Sequence, residues 1–259
     1  MSAPSTRTIS IVIPCLNDAE LLRRCLASLA EQEVAPEEII VVDNGSTDGS
    51  AQVAARSGAR VITEPRRGIT WATHAGFDAA TGAILARIDA DVIAAPDYVR
   101  RLHAAWDAAE RSPGRRVVGV TGVARFALPG WRGDLASALY LRAYRRSVGA
   151  ALGHHPLFGT NYSVRAEWWR KIRTRLDSAD TFAHEDMQMS FEVGPDETVW
   201  FQPDLTLDMD ARPLYGGRQM IRRFRRGMHT ILRAWRHHPP QRRLAARGVL
   251  GARLQEALT

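Results

Sequence analysis

Ala83-Ile84-Leu85-Ala86-Arg87-Ile88-Asp89-Ala90-Asp91 is the stretch that decides the fold. Its first six residues form an apolar run of strand length, and two carboxylates stand at the run's C-terminal end. A hard divalent cation takes oxygen ligands and often bridges substrate phosphates through only one or two protein carboxylates. Asp89 and Asp91 therefore point to chemistry on a diphosphate. A D-x-D triplet is also a common solvated turn, so the residues around it carry the decision.

Working outward, residues 9–13 form a β-branched run ending at Pro14, with Asn17 or Asp18 placed to cap a following helix. Leu21, Leu22, Cys25, Leu26 and Leu29 recur at helical spacing in that helix. A second strand over 39–42 runs into Asp43-Asn44-Gly45-Ser46-Thr47-Asp48-Gly49, and a third covers 60–63. Helices are expected around 50–56 and 69–79 and from Pro96, with a fifth strand over 116–121. Strands alternating with helices imply βαβ units and a mostly parallel sheet. Such sheets bind ligands at the carboxyl ends of their strands, where Pro14, Asp43 and Asp89 all lie.

The second half is less regular. Residues 132–148 read as an amphipathic helix, and Gly159-Thr160-Asn161 as a turn before a short strand and a helix over 166–173. Glu185-Asp186 opens another helical segment, strands are expected over 198–201 and 206–209, and two basic helices follow from 216, broken at Pro239-Pro240.

The chain's 259 residues suit one large α/β domain with an appendage, and 45% hydrophobic with 24% charged residues is ordinary for a soluble globular protein. The net charge of +7 is uneven: from 212 to the end there are twelve arginines and one acid, Glu256, so this tail carries +11 and leaves −4 for the rest. An anionic surface is the expected partner of such an end. Cys15 and Cys25 sit in apolar patterns, which suggests a reducing compartment rather than a disulfide framework. The first eight residues lack a signal-peptide core, and no apolar stretch approaches the roughly 18 residues needed to span a bilayer. A cytoplasmic location is expected.

Several classes fall away. A dinucleotide-binding domain wants G-x-G-x-x-G after its first strand, where this chain has Pro14-Cys15-Leu16-Asn17-Asp18. No P-loop sequence occurs either. Asp43 at a strand end suits a ribose or base N–H, with Gly45 allowing close approach, but an Asx-turn explains it as well. In His184-Glu185-Asp186, Asp186 suits a general base within reach of an attacking hydroxyl, or merely an acid favoured at a helix N-terminus.

Together these residues resemble family 2 glycosyltransferases of the inverting GT-A type. Ile11-Val12-Ile13-Pro14-Cys15-Leu16-Asn17 is similar to that family's opening strand, and Val41 to Gly49 to its second-strand loop. Gly68, Ala72, Gly76, Ala80 and Gly82 fit the spaced small residues before Asp89-Ala90-Asp91. Gly159-Thr160-Asn161 and Glu185-Asp186 match the acceptor-side motifs. The resemblance covers about 8–210. It implies an α/β GT-A-like domain over 1–210, Rossmann-like in binding its nucleotide, with a nucleotide-sugar half (about 8–122), an acceptor half (about 123–210) and a basic helical extension over 211–259.

The resemblance also implies roles. Pro14, Asn17 and Asp43 line the nucleotide pocket, and Gly45, Ser46, Arg67, Ala90 and Asn161 join them in binding substrate. Asp89 meets the ribose or the metal, and Asp91 binds the Mg²⁺ or Mn²⁺ that bridges the diphosphate. Asp186 is the base, with Glu185 the alternative. Two segments depart from the family: Thr73-His74 stands where many relatives have Arg-Asn, and Ser178-Ala179-Asp180-Thr181-Phe182 replaces the usual Gly-Gly-Phe.

The expected reaction moves a sugar from a nucleotide-diphosphate sugar to a hydroxyl acceptor, lipid-linked or a cell-envelope glycan precursor. The tail's Ile221, Phe224, Met228, Ile231, Leu232 and Trp235 among arginines suit an anionic membrane at the cell's inner face, or a helix packed on the domain. The rivals are a sugar-nucleotide pyrophosphorylase, whose Gly-rich first loop is missing, and a nucleic-acid-binding protein, which lacks a recognisable module. The identities of sugar, base and acceptor, and the oligomeric state, stay open.

Overall fold

The computed structural model describes residues 7–128, 131–212 and 217–249. Its strands are β1 (Ile9–Cys15), β2 (Glu38–Asp43), β3 (Arg60–Thr63), β4 (Ile84–Ile88), β5 (Val92–Ala94), β6 (Arg116–Phe126), β7 (Asn161–Arg165) and β8 (Glu197–Met209). They form one eight-stranded sheet in the order β3-β2-β1-β4-β7-β6-β8-β5. Four of its seven neighbouring pairs are parallel, while β7 runs against both β4 and β6, and β5 against β8.

Strands covered on both faces are apolar at nearly every position, and β1 is so apart from Ser10, whose buried hydroxyl donates to Glu38 Oε1 at 2.8 Å. Ile9, Ile11 and Ile13 pack with Leu22, Cys25, Leu26 and Leu29 of α1 (Ala19–Ala30) and with Val99, Leu102 and Trp106 of α4 (Tyr98–Arg111). Val12 points the other way, among Ala72 and Phe77 of α3 (Ile69–Ala79) and Trp168, Trp169 and Ile172 of α6 (Ala166–Ile172). Each such buried side chain contributes roughly 1.5–3 kcal/mol. Helix α3 reaches the sheet only because position 76 lacks a side chain: a Cβ there would lie 2.3 Å from Val12 Cγ1 and 2.9 Å from Val42 Cγ2. Gly76→Ala is expected to cost about 1–3 kcal/mol, as overpacking does, seen as a lower urea midpoint at unchanged slope. An unchanged midpoint would show that α3 can lift off the sheet freely.

The sequence places most elements within a few residues, and the departures have physical causes. The fifth strand continues to Phe126, because two register shifts against β8 let it bend and go on. The two strands expected over 198–201 and 206–209 are one 13-residue strand, β8. Pro203 lies in its middle, where the pairing skips from Phe201 to Thr206 and no ladder donor is needed at the proline. β5 went unread because three residues carry no periodicity. The cap expected of Asn17 or Asp18 is made from elsewhere: no side-chain bond comes from Asp18, and Asp48 Oδ2 accepts from the Ala19 N–H at 2.9 Å.

Helix α2 (Ser50–Arg56) follows β2, and α5 (Trp131–Leu152) follows β6. The expected divide at 122–123 falls inside β6, so both halves share one sheet. Helix α7 (Glu185–Phe191) is covered by α8 (Gly217–His237), and α9 (Pro240–Ala246) starts on Pro240, a proline at a first-turn position. Arg243 and Arg247 donate to the carbonyls of Phe191, Val193 and Gly194 just past α7, where cations suit a helix C-terminus. Part of the tail's charge therefore has a structural use. The residues of the tail beyond 249 lie outside those described.

Candidate active site

The turn after β2 is held by its own polar side chains. Asp43 Oδ1 accepts from the Ser46 N–H at 3.0 Å, so the Asx-turn reading of Asp43 is correct as local structure. Asn17 takes a positive φ of 56°, which Asn tolerates, and its Oδ1 accepts from the Thr47 N–H at 2.7 Å. Ser46 Oγ accepts from the Asn17 N–H at 3.1 Å, joining the loops after β1 and β2. Asn44 donates to the Glu64 and Arg66 carbonyls and accepts from the Gly68 N–H, clamping the loop after β3. Gly45 has φ 84°, and a Cβ there would lie 3.6 Å from Arg67 Nε. Pro14, Asn17, Asp43, Gly45, Ser46 and Arg67 are thus brought together at the carboxyl ends of β1, β2 and β3.

Asp89-Ala90-Asp91 is the link between β4 and β5, beside that loop cluster. Its two carboxylates point to different cations. Asp89 Oδ1 lies 2.9 Å from Arg87 Nη2, and Asp91 Oδ2 lies 3.0 Å from Arg212 Nη2. Arg212 also reaches Asp18 Oδ1 at 2.9 Å and Asp210 Oδ1 at 3.2 Å. Burial, and then the charge of Asp89, push the Asp91 carboxyl up to about 6 against the pull of Arg212. Ala90 is buried, so its own side chain offers a substrate nothing.

The second acidic cluster lies one strand away. Asp186 Oδ2 accepts from the Gly159 N–H at 2.8 Å and from Tyr144 Oη at 3.1 Å, and Oδ1 accepts from the Met187 N–H at 2.8 Å. Glu185 is more deeply buried and accepts from Tyr162 Oη. Burial pushes its carboxyl up to about 7, with Arg87 opposing and Asp186 adding to the rise.

Arg87 joins the two acidic clusters. It is fully buried inside β4, pairs with Asp89, donates to the Gly159 carbonyl, and lies in the field of Glu185 and Asp186. The sequence did not single it out, although one arginine within an apolar strand is a signal: a buried charge must be paired. Arg212, Tyr144 and Tyr162 were also missed, because each partner is remote in sequence.

Asn161 does not belong with the substrate-binding residues as expected. It is fully buried, donating to the Val123 and Leu205 carbonyls at 2.8 and 2.9 Å while accepting from Tyr98 Oη at 2.9 Å. Its amide ties β6, β8 and α4 together. The two segments that depart from the family pattern meet each other: His74 Nδ1 and Ser178 Oγ are hydrogen-bonded at 2.8 Å. Burial lowers the His74 pKa to about 4, so the imidazole is neutral near pH 7.

Comparison with known proteins gives the family and the fold. The model of glycosyl transferase family 2 matches residues 10–154. A PGL/p-HBAD biosynthesis glycosyltransferase of Mycobacterium tuberculosis is 33% identical over 189 residues, covering 67% of this chain and 70% of that protein. The chain belongs to glycosyl transferase family 2. An uncharacterized glycosyltransferase of Mycobacterium tuberculosis is 51% identical over 83 residues, or 32% of this chain, and the match spans 36% of that relative's length. Among solved structures, the mannosyltransferase PcManGT of Pyrobaculum calidifontis, in complex with GDP-Man and Mn²⁺, aligns with a TM-score of 0.64 and 21% identity over 98% of this chain and 79% of that one. Glucosyl-3-phosphoglycerate synthase of Mycobacterium tuberculosis, in complex with Mn²⁺, UDP and glucosyl-3-phosphoglycerate, aligns with a TM-score of 0.61 and 23% identity over 95% of this chain and 82% of that one. At that identity the likeness is one of fold.

Proposed function

We propose that this chain transfers a sugar, with inversion, from a nucleoside diphosphate sugar to a hydroxyl acceptor. One observation carries the reading: the buried Arg87 pairs with Asp89 of the D-x-D link and lies in the field of Glu185 and Asp186, so one guanidinium bridges the diphosphate site and the base of this reading. Membership of the family, and relatives named as glycosyltransferases, support it.

The residues fit a divalent cation. Asp91 and Asp89 offer hard oxygen donors, and the Arg212 guanidinium already sits on Asp91 as a side-chain cation. Among the described residues no cluster of three or more metal-ligating side chains occurs. That suits a cation held by one or two carboxylates and the donor's phosphates. Bound there, Mg²⁺ or Mn²⁺ would supply Lewis-acid neutralisation of the leaving diphosphate. Asp43, Asn17, Pro14, Gly45, Ser46 and Arg67 hold the nucleotide.

Asp186 removes the proton from the acceptor hydroxyl as that oxygen attacks the anomeric carbon and the bond to the diphosphate breaks. A carboxylate has roughly four acceptor sites, and three bonds reach Asp186, which leaves room for a substrate O–H. Glu185 is the poorer base, since burial and the Tyr162 hydroxyl occupy it. Arg87 holds both clusters in register, and positioning of this kind supplies much of the acceleration.

A divalent cation and Arg212 compete for the same carboxylate. Arg212→Ala is expected to tighten Mn²⁺ binding in the absence of nucleotide, read by titration calorimetry. Weaker binding by that variant would make Arg212 a helper of the metal site instead.

The acceptor is lipid-linked in this reading, and the protein works at the inner face of the membrane. Among the described residues no helix is long and apolar enough to cross a bilayer. Helix α8 leaves Ile221, Phe224, Met228 and Leu232 exposed along one face, with Arg222, Arg225 and Arg236 also exposed. It carries no acid, so an anionic bilayer would attract it by about 1 kcal/mol per nearby arginine. Release of free nucleoside diphosphate from a panel of sugar nucleotides, with Mg²⁺ or Mn²⁺, tests the reaction. No release from any donor with any alcohol or lipid acceptor, alongside formation of sugar nucleotide from a sugar phosphate, would favour the pyrophosphorylase.

A further inference from the structure

Helix α5 has an apolar face that no other described residue covers. Trp131, Leu135 and Leu139 follow one another at four-residue steps and are 70%, 48% and 61% exposed. At 100° per residue they share one face, and Arg142 and Arg146, both exposed, continue it. The opposite face is the packed one. There Ser137 Oγ accepts from the Phe126 N–H at 2.8 Å, and Leu141, Val148 and Leu152 are buried. A contiguous exposed apolar stripe on a helix marks a surface meant to be covered.

Helices α5 and α8 are braced on the same support. Val148 and Leu152 of α5, Ile231 of α8, and Met187 and Phe191 of α7 form one small core. The first turn of α7 carries Asp186, and Tyr144 of α5 donates to it. Two helices with exposed apolar faces and flanking arginines therefore flank the helix that bears the proposed base.

We propose that the Trp131-Leu135-Leu139 face of α5 is a second membrane-docking edge, inserted beside α8 into an anionic bilayer. The inference rests on the membrane reading of α8. Charge selects the occupant. A second copy of this chain on the same face would take the Arg142 and Arg146 guanidinia out of water against a stripe that offers them no carboxylate, which opposes association. Anionic headgroups pair with those arginines while the apolar stripe enters the acyl boundary, as amphipathic interfacial helices do. Trp131 at the end of the stripe suits the headgroup level, where an indole is at once apolar and a hydrogen-bond donor.

Co-sedimentation of the full chain with phosphatidylcholine vesicles, with and without phosphatidylglycerol, tests this. Leu135→Glu/Leu139→Glu is expected to weaken binding to anionic vesicles by about tenfold or more with α8 intact, as losing two inserted apolar side chains should. The difference in emission between the unaltered protein and Trp131→Phe isolates Trp131, which is expected to shift to the blue on anionic vesicles only. If the α5 variant binds like the unaltered chain and Trp131 does not shift, while Phe224→Glu/Leu232→Glu abolishes binding, this inference is overturned and the α8 reading stands. If the unaltered chain binds neither vesicle, both fall. A concentration-dependent dimer dispersed by the α5 variant would assign the face to a second copy.

Discussion

Asp186→Asn is expected to lower turnover by about 10²–10⁴-fold, the usual worth of a general base, while donor affinity changes little. The amide keeps the shape of the carboxylate, so the bonds from the Gly159 N–H and Tyr144 Oη can be retained by its oxygen. What it loses is the ability to take a proton, together with the bond from the Met187 N–H to Oδ1. The proposed donor pocket, at the carboxyl ends of β1 to β3, shares no side chain with α7, which is why nucleotide binding serves as the control. Glu185→Gln tests the alternative assignment. Its burial and its bond to Tyr162 mean that it should first lower thermal stability. A stable Glu185→Gln with no activity, next to an active Asp186→Asn, would exchange the two roles. Full activity in both would remove α7 from the chemistry.

Asp91→Asn is expected to keep the fold and lose nearly all transfer together with Mn²⁺ binding. An amide is a much poorer ligand for a hard cation than a carboxylate. Loss of outer partners around a metal site already costs about 10–100-fold in metal affinity or activity, so removal of a direct ligand should cost at least that. The variant also cancels one of the three carboxylate charges that hold Arg212, leaving Asp18 and Asp210. Circular dichroism and a thermal melt close to those of the unaltered protein would separate a site effect from an unfolded one. Full activity of Asp91→Asn in chelating buffer would contradict a metal-dependent reaction at this link.

The strands with their turn residues were legible in the sequence because local rules govern them. Val41-Val42-Asp43-Asn44-Gly45 is a buried strand running into a turn whatever the rest of the chain does. Asp89 and Asp91 were legible for the same reason. Local rules say nothing of who meets whom across the sheet. Arg87 sits in a strand that reads as apolar, and its meaning appears only when β7 brings Gly159 and α7 beside β4. Arg212 was counted as one of twelve tail arginines, yet it is anchored on Asp18, Asp91 and Asp210. Asn161 was read as a substrate residue from its motif, while its register inside β7 turns the amide into a strand tie. The tail's charge was legible as a total but not as a distribution: Arg226 and Arg233 hold the 177–183 segment, Arg243 and Arg247 close α7, and the exposed remainder faces outward.

The anomeric configuration of the transferred sugar tests the central claim most directly. One displacement with Asp186 as base must invert the anomeric centre, because the hydroxyl enters opposite the departing diphosphate. Proton NMR of the isolated product, compared with the donor, reads this from the anomeric coupling. The account predicts the inverted configuration, and a product with the donor's configuration retained would contradict it.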